Sequence, residues 1–414
     1  MLSPYTVLDL SDDRGEMASM ILGDLGANVI KVEPPRGSSS RRMAPFLKGA
    51  PEPENSLQFF AFNRNKCGVT LDITIDAGRA ALLRLAEKAD FVIESANPGE
   101  MARLGLGFEA IRKANPRVIY VAISAFGQDG PHADYAASDL TLAAMGGPMS
   151  VQGIPERAPV RLSVPQAWLH AASEAAVAAL TAHALMIQTG EAQFVDVSAQ
   201  AAMISTMLHS RLAHAIQGSD MERAGSVLQL GHTRLPIVHE CADGYVMLVP
   251  TGATMAGMVQ WLVEDGIVPE EWIDGEDWPT YDLRFFQQQP LTYELEEVLD
   301  AIGRYAQLHT KSEILDRGLS ENVTVAPIST IEDLTRFRQL EERGYWLMAP
   351  LPDGSEVAVP GIIAKMSETP LDVKRWAPKL GEHNREILVD MLGMSESQAA
   401  EAGGATTSSQ ERER

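Results

Sequence analysis

The chain has 414 residues, 45% of them hydrophobic, with 56 acidic against 34 basic side chains and a formal net charge of −22. That length predicts two or three lobes rather than one core. The acidity argues against a nucleic-acid surface, and no apolar run reaches the roughly 20 residues of a membrane span.

In chain order, residues 5–10 (YTVLDL) read as a buried strand, 14–26 as a helix with Gly26 as its stop, and 27–33 (ANVIKVE) as a second strand. Strand, helix, strand over about 30 residues is a βαβ unit and predicts a parallel sheet. No GxGxxG follows the first strand, so a dinucleotide fingerprint is missing. Residues 34–56 form a Pro/Gly/Ser-rich loop bearing Arg36, Arg41 and Arg42. It reads either as a solvated loop or as an anion clamp, since the guanidinium is a fork suited to phosphate. The pattern continues with a strand at VTLDI, a helix over 77–90, strand 91–95, two short helices in 96–116, strand 117–127 and a helix over 139–147. Cys67 and Cys241 are the only cysteines, which predicts no disulfide framework and no zinc site. The acidic N-terminus lacks a signal-peptide pattern, and a cytoplasmic location is expected.

From Gly153 a Pro-punctuated extended segment runs into an Ala-rich helix. The first N–H groups of such a helix lack partners and are expected to face a ligand or a nucleophile. This junction carries Trp168 and His170 instead of a carboxylate. Beyond it, 188–207 reads as turn, strand and helix. LPIVHECADGYVMLVP (235–250) reads as a hairpin with a DG turn, at the front of a smaller lobe. The segments from 323 on return to α/β character, and the polar end of the chain reads as a disordered tail.

Seven stretches in order carry a resemblance: LGANVIKVEPPRG, FNRNKCGVTLDI, NPGEMARLGLGFEAIRKANPRVIYVAISAFGQDGP, SDLTLAAMGG, TGEAQFVDVS, APISTIEDL and LGEHNREIL. Together they resemble the class III CoA-transferases, which include formyl-CoA and crotonobetainyl-CoA transferases and 2-methylacyl-CoA racemases. The resemblance implies an α/β fold: a Rossmann-like parallel-sheet large domain built from both chain ends, a smaller central α+β domain, and an interlaced, ring-threaded dimer. The expected boundaries are 1–215 for the first part of the CoA-binding domain, 216–325 for the small domain with its linkers, 326–395 for the return, and 396–414 for the tail. CoA or an acyl-CoA enters as substrate; no permanently bound cofactor and no metal are implied.

The resemblance also implies site residues. The diphosphate arginine after the VIKVE strand falls on Arg41 or Arg42. The family's E-N-x-R-P-G-x-M-x-R-L-G motif becomes Glu94 to Gly105 here. It places Arg103 and Leu104 on the adenine and phosphate side, with Asn97 and Ser95 replacing the usual basic residue and Asn. The nucleophilic Asp, which forms a mixed anhydride and then an aspartyl-CoA thioester, aligns with Trp168.

Three readings of that site follow. A local substitute is one. His170 lies about 200° round the helix from Trp168 and faces away, whereas Asp139, usually a cap of its own helix, is a possible nucleophile for a self-sufficient enzyme. A racemase needs an acid/base pair, and the corresponding positions are Ser138 and Trp168, which cannot serve. The favoured reading is one subunit of a heteromeric CoA-transferase whose paralogous partner keeps the Asp, as in the succinyl-CoA:benzylsuccinate enzymes of anaerobic aromatic degradation. Arg14-Gly15-Glu16, where single-subunit enzymes carry small residues, fits such a divergent subunit. A non-catalytic CoA-binding or structural partner is the alternative from another class.

Overall fold

Six apolar runs assemble into one parallel sheet in the computed structural model, which describes residues 1–230, 233–249 and 251–404. The strands are β1 (Thr6–Leu10), β2 (Asn28–Glu33), β3 (Lys66–Thr70), β4 (Phe91–Glu94), β5 (Ile119–Ser124) and β6 (Gln193–Ser198). Their spatial order is β3-β2-β1-β4-β5-β6, and every neighbouring pair is parallel. Both faces are covered, which explains why the strands read as near-continuous hydrophobic runs rather than as alternating ones.

On one face the helices Glu16–Asp24 and Ala167–Thr189 pack over Val7, Val29, Ile93, Val121 and Ile123. The long helix presents Ala171, Ala175 and Ala179 to this core. Those small side chains at four-residue spacing lie on one helix face and permit a close approach. On the other face Asp76–Ala86, Phe108–Ala114 and the C-terminal segments cover Leu8, Ile30, Val92 and Tyr120.

The chain divides into two compact units. The first comprises Met1–Ser150, Val160–Met221 and the chain from Glu342 onward; the second comprises Val151–Pro159 and Glu222–Glu341. The second unit holds a three-stranded antiparallel sheet, Val238–Cys241, Gly244–Leu248 and Val325–Pro327. Around it lie helices whose buried Trp261, Trp272, Trp278, Tyr281 and Tyr305 form a core of their own.

Several expectations need correction. The return to the first unit comes at Glu342 rather than 326, because Val325–Pro327 pairs with Gly244–Leu248 and so stays in the second unit. The tail expected over 396–414 begins as an ordered helix, Glu396–Ala402, closed by a capping box between Ser395 and Gln398 and buried at Ala402. Residues 405–414 lie outside the described residues, as does Pro250 at the end of the expected hairpin. The strand read as VTLDI starts three residues earlier, at Lys66. Its polar lead-in is drawn inside by ion pairing. The segment Arg385–Met391 is π-helical. No helix of the described residues is long and apolar enough to cross a membrane.

Candidate functional site

The strand order reverses direction between β1 and β4. In an open parallel sheet the crevice beyond the carboxyl ends of two such strands is where ligands bind. The loop after β1 therefore faces the loop after β4. They are tied together: the Asp12 N–H donates to Ser95 Oγ at 2.9 Å, and that hydroxyl donates to Asp12 Oδ1 at 2.8 Å. The turn is tight, since a Cβ at Gly15 would stand 2.8 Å from Ser11 Cβ.

Arg14 lies across the crevice mouth. Its Nε and Nη2 each donate to Asp12 at 2.8 Å, and Nη1 reaches Asn97 Oδ1 at 3.4 Å. Its guanidinium carbon stands 6.0 Å from the centroid of the Trp168 ring, within cation–π range. Burial alone would raise the Asp12 carboxyl, but the hydrogen bonds and charge of Arg14, aided by Ser95, hold it below its ordinary value. Asp13, the next carboxyl, moves the other way: burial first, then the neighbouring charges of Asp12 and Glu16, raise it against a hydrogen bond from Ser39. Glu94, at the end of β4, is pushed up to about 7 by burial, with Glu100 adding; the Ala96 N–H and Arg14 oppose the shift.

Trp168 is half-buried in the first turn of the helix Ala167–Thr189. The expectation that this helix start offers free N–H groups holds only in part: two of them, on Gln166 and Ala167, are taken. Asp139 Oδ1 accepts from both Gln166 N and Ala167 N at 2.7 Å. Asp139 thus caps the long helix rather than its own. Its own helix, Asp139–Met145, is closed by a capping box of Ser138 and Thr141. Attack through Oδ1 would have to break those two short bonds, whereas Oδ2 has no such commitment among the described residues. His170, one turn into the helix, is half-buried.

The arginines expected to clamp an anion divide sharply. Arg41 is 1% exposed. It pairs with Glu33 at 2.7 and 2.8 Å, with Glu54 at 3.2 Å and with the Pro378 carbonyl at 2.9 Å, and it lies 3.7 Å over the Phe59 ring. With its donors spent in the interior, Arg41 is a structural residue; the remote partners Glu54 and Pro378 gave no local signal. Arg42 is exposed and, among the described residues, donates to the Arg36 and Gly37 carbonyls, at 3.1 and 3.3 Å. Its remaining N–H groups are open to a ligand. Arg103 is exposed at the end of the short helix Glu100–Arg103, and Leu104 is half-buried against the core. The structure thus brings Asn97 and Trp168 to Arg14, keeps Arg42 and Arg103 at the surface, withdraws Arg41 and engages one oxygen of Asp139.

The floor of the crevice is charged and closed. Lys66 Nζ contacts Asp9 Oδ2 at 2.8 Å, and Lys31 Nζ contacts Glu16 Oε1 at 3.1 Å and Asp9 Oδ2 at 3.6 Å. Among the described residues no His, Cys, Asp and Glu group is arranged to hold a metal ion.

The residues missed in the sequence are Asp12 and Asp13. The signal for them was available: both lie in the loop after β1, the strand that flanks the reversal of the sheet.

Comparison with known proteins bears on this geometry. The profile of CoA-transferase family III matches residues 2–384. The chain is 33% identical over 399 residues to the succinyl-CoA:(R)-benzylsuccinate CoA-transferase subunit BbsE of Thauera aromatica, covering 94% of this chain and 93% of that one. It is 28% identical to a succinyl-CoA–L-malate CoA-transferase alpha subunit of Chloroflexus aurantiacus, covering 95% and 89%. A crystal structure of a CAIB/BAIF family protein from Brucella suis superposes with a TM-score of 0.80 at 25% identity, covering 94% of this chain and 99% of that one.

Proposed function

The chain belongs to CoA-transferase family III, and from that premise we propose that it is the subunit of a two-chain CoA-transferase that does not itself carry the nucleophile. The enzyme moves CoA from an acyl-CoA donor such as succinyl-CoA to a carboxylic acid, with benzylsuccinate the acid that the Thauera relative's name suggests. The catalytic Asp comes from a paralogous chain, and the two chains interlace.

One observation carries this reading. Trp168 stands at the helix start where the chemistry requires a carboxylate, and an indole cannot form an acyl anhydride. The nearby alternative, Asp139, has one carboxylate oxygen committed to the helix cap at 2.7 Å from two N–H groups. Arg42 and Arg103 remain exposed as anion partners, which supports retained binding of the CoA phosphates.

The test is reconstitution. Purified alone, the chain should turn over no succinyl-CoA with benzylsuccinate; co-expressed with a paralogue bearing Asp at the aligned position, it should form an active complex. Turnover by the lone chain at the rate of the complex would refute the proposal. A purely structural partner differs at one point: Arg103→Ala would then leave CoA binding by the complex unchanged.

A further inference from the structure

Tyr120 in β5 is the register partner of Val92 in β4 and of Phe194 in β6. Side chains alternate faces along a strand, so Tyr120, Phe194 and Glu94, two residues on from Val92, leave the sheet on the same side. The helix Phe108–Ala114 covers that side and adds a third ring. The Phe108 centroid stands 6.1 Å from that of Tyr120 and 5.5 Å from that of Phe194. These four residues and Gln128, in the loop after β5, line a cavity of about 420 Å³. Arg14, Arg42, Arg103 and Trp168 do not line it. We infer that this cavity binds an uncharged aromatic molecule bearing a hydroxyl, a phenol, whose oxygen accepts from Gln128 Nε2 and whose O–H donates to the Glu94 carboxyl. The inference stands independently of the CoA reading.

The Gln128 side chain carries the argument. Its Nε2 is enclosed and has no hydrogen-bond partner among the described residues. A buried donor left without an acceptor is costly, and a ligand oxygen is one way to satisfy it. The Gln128 backbone is fixed, because its N–H donates to Asp196 Oδ2 on β6 at 2.9 Å. Glu94 is 4% exposed, and its Oε2 accepts the Ala96 N–H at 2.6 Å. A carboxyl accepts a further O–H in either protonation state. Phe194 is 43% exposed on the edge strand, so its ring has free surface for the offset or edge contacts that aromatic groups prefer. The volume lies within the range of small-molecule pockets.

Charge sets the class of ligand. The charged residues lining the cavity are Glu94, Glu109 and Lys113. Glu109 and Lys113 are exposed and of opposite sign. Burial already pushes the Glu94 carboxyl up to about 7. A ligand carboxylate beside it would add like charge, with no buried cation in the lining to offset it. A hydroxyl brings no charge, and it serves the Gln128 donor and the Glu94 acceptor at once.

The experiment is calorimetric titration of the full-length chain with 2-naphthol and, separately, with 2-naphthoate, which keeps the rings and replaces the hydroxyl by a carboxylate. At about pH 7.5 the phenol is uncharged. One 2-naphthol per chain is expected, bound at least about tenfold tighter than 2-naphthoate. Gln128→Leu removes a donor that has no protein partner, so the fold should hold while 2-naphthol affinity falls about fivefold, as for loss of one hydrogen bond. Phe194→Ala, at a partly exposed position, should weaken it by a similar factor through the lost ring contact. Saturating CoA should leave 2-naphthol binding unchanged. No binding of 2-naphthol, binding of 2-naphthoate as tight or tighter, or an unaltered 2-naphthol affinity in Gln128→Leu overturns the inference. Competition by CoA also overturns it, since the cavity would then be part of the CoA site. The two-subunit proposal is judged separately, by reconstituted turnover.

Discussion

Two groups of charges sit a few residues apart at the same end of the sheet, and they do different work. The floor group, Asp9, Lys31 and Lys66, has no side-chain exposure at all, and Glu16 has 2%. The mouth group, Asp12 and Arg14, is 29% and 27% exposed. Floor charges are unreachable by any ligand and fix how β1, β2 and β3 meet the helix Glu16–Asp24. Mouth charges can be contacted and can be rearranged by substitution at modest cost. Residue type does not separate the two groups; the direction of each side chain from its strand does.

The floor should break hardest. Lys66→Met leaves Asp9 buried beside only the more distant Lys31, and a broken buried pair costs about 3–5 kcal/mol, read by urea unfolding. A loss under about 1 kcal/mol would place the floor pairs with ordinary surface bridges. The pH dependence has a definite sign. Burial alone would raise the Asp9 carboxyl, but Lys31 and Lys66 hold it well below its ordinary value. Its stabilisation is therefore complete above the unfolded value of about 4 and is lost as pH falls through the depressed folded value. The acid limb of the stability curve should flatten in Lys66→Met.

Glu94 reverses that sign. With its carboxyl pushed up to about 7, ionisation destabilises the fold progressively as pH rises from about 4.5 to 7. Glu94→Gln should therefore stabilise the protein at pH 8 by on the order of 1–3 kcal/mol and leave it nearly unchanged at pH 4. Equal effects at both pH values would mean the group is not shifted.

Asp139→Ala removes two hydrogen bonds from the start of the long helix and should cost about 1–2 kcal/mol, as loss of a helix cap does. Smallest in stability are Arg42→Ala and Arg103→Ala, within about 0.5 kcal/mol as for other exposed positions. Each should nonetheless weaken CoA binding roughly tenfold, since a hydrogen bond to a charged group contributes about 1.5–3 kcal/mol. Tight CoA binding by both variants would show that the exposed arginines do not hold the phosphates.

The same contrast explains what the sequence disclosed. The parallel sheet was legible because strands covered on both faces are written as unbroken apolar runs, as in β5, with Ile119, Val121 and Ile123 on one core and Tyr120 and Ala122 on the other. The place of Trp168 at a helix start was legible because the Pro-punctuated lead-in and the Ala-rich run are local patterns. Arg41 was not: its partners lie 8, 13 and 337 residues away, and only folding reveals that its donors are spent. Asp139 misled for a related reason, since its position invites a cap of the adjacent helix while its oxygen reaches a helix 27 and 28 residues on. Lys66 was left outside the strand read as VTLDI because nothing local announces Asp9, 57 residues earlier, as its partner.

The central claim is that the carboxylate that takes the acyl group is not in this chain. The direct measurement is to incubate the reconstituted two-chain enzyme with succinyl-CoA and hydroxylamine, then map the modified carboxylate by peptide mass spectrometry. The account predicts a single hydroxamate, on the Asp of the partner chain, and none on this one. A hydroxamate on Asp139, Asp13 or any other carboxylate of this chain would contradict it.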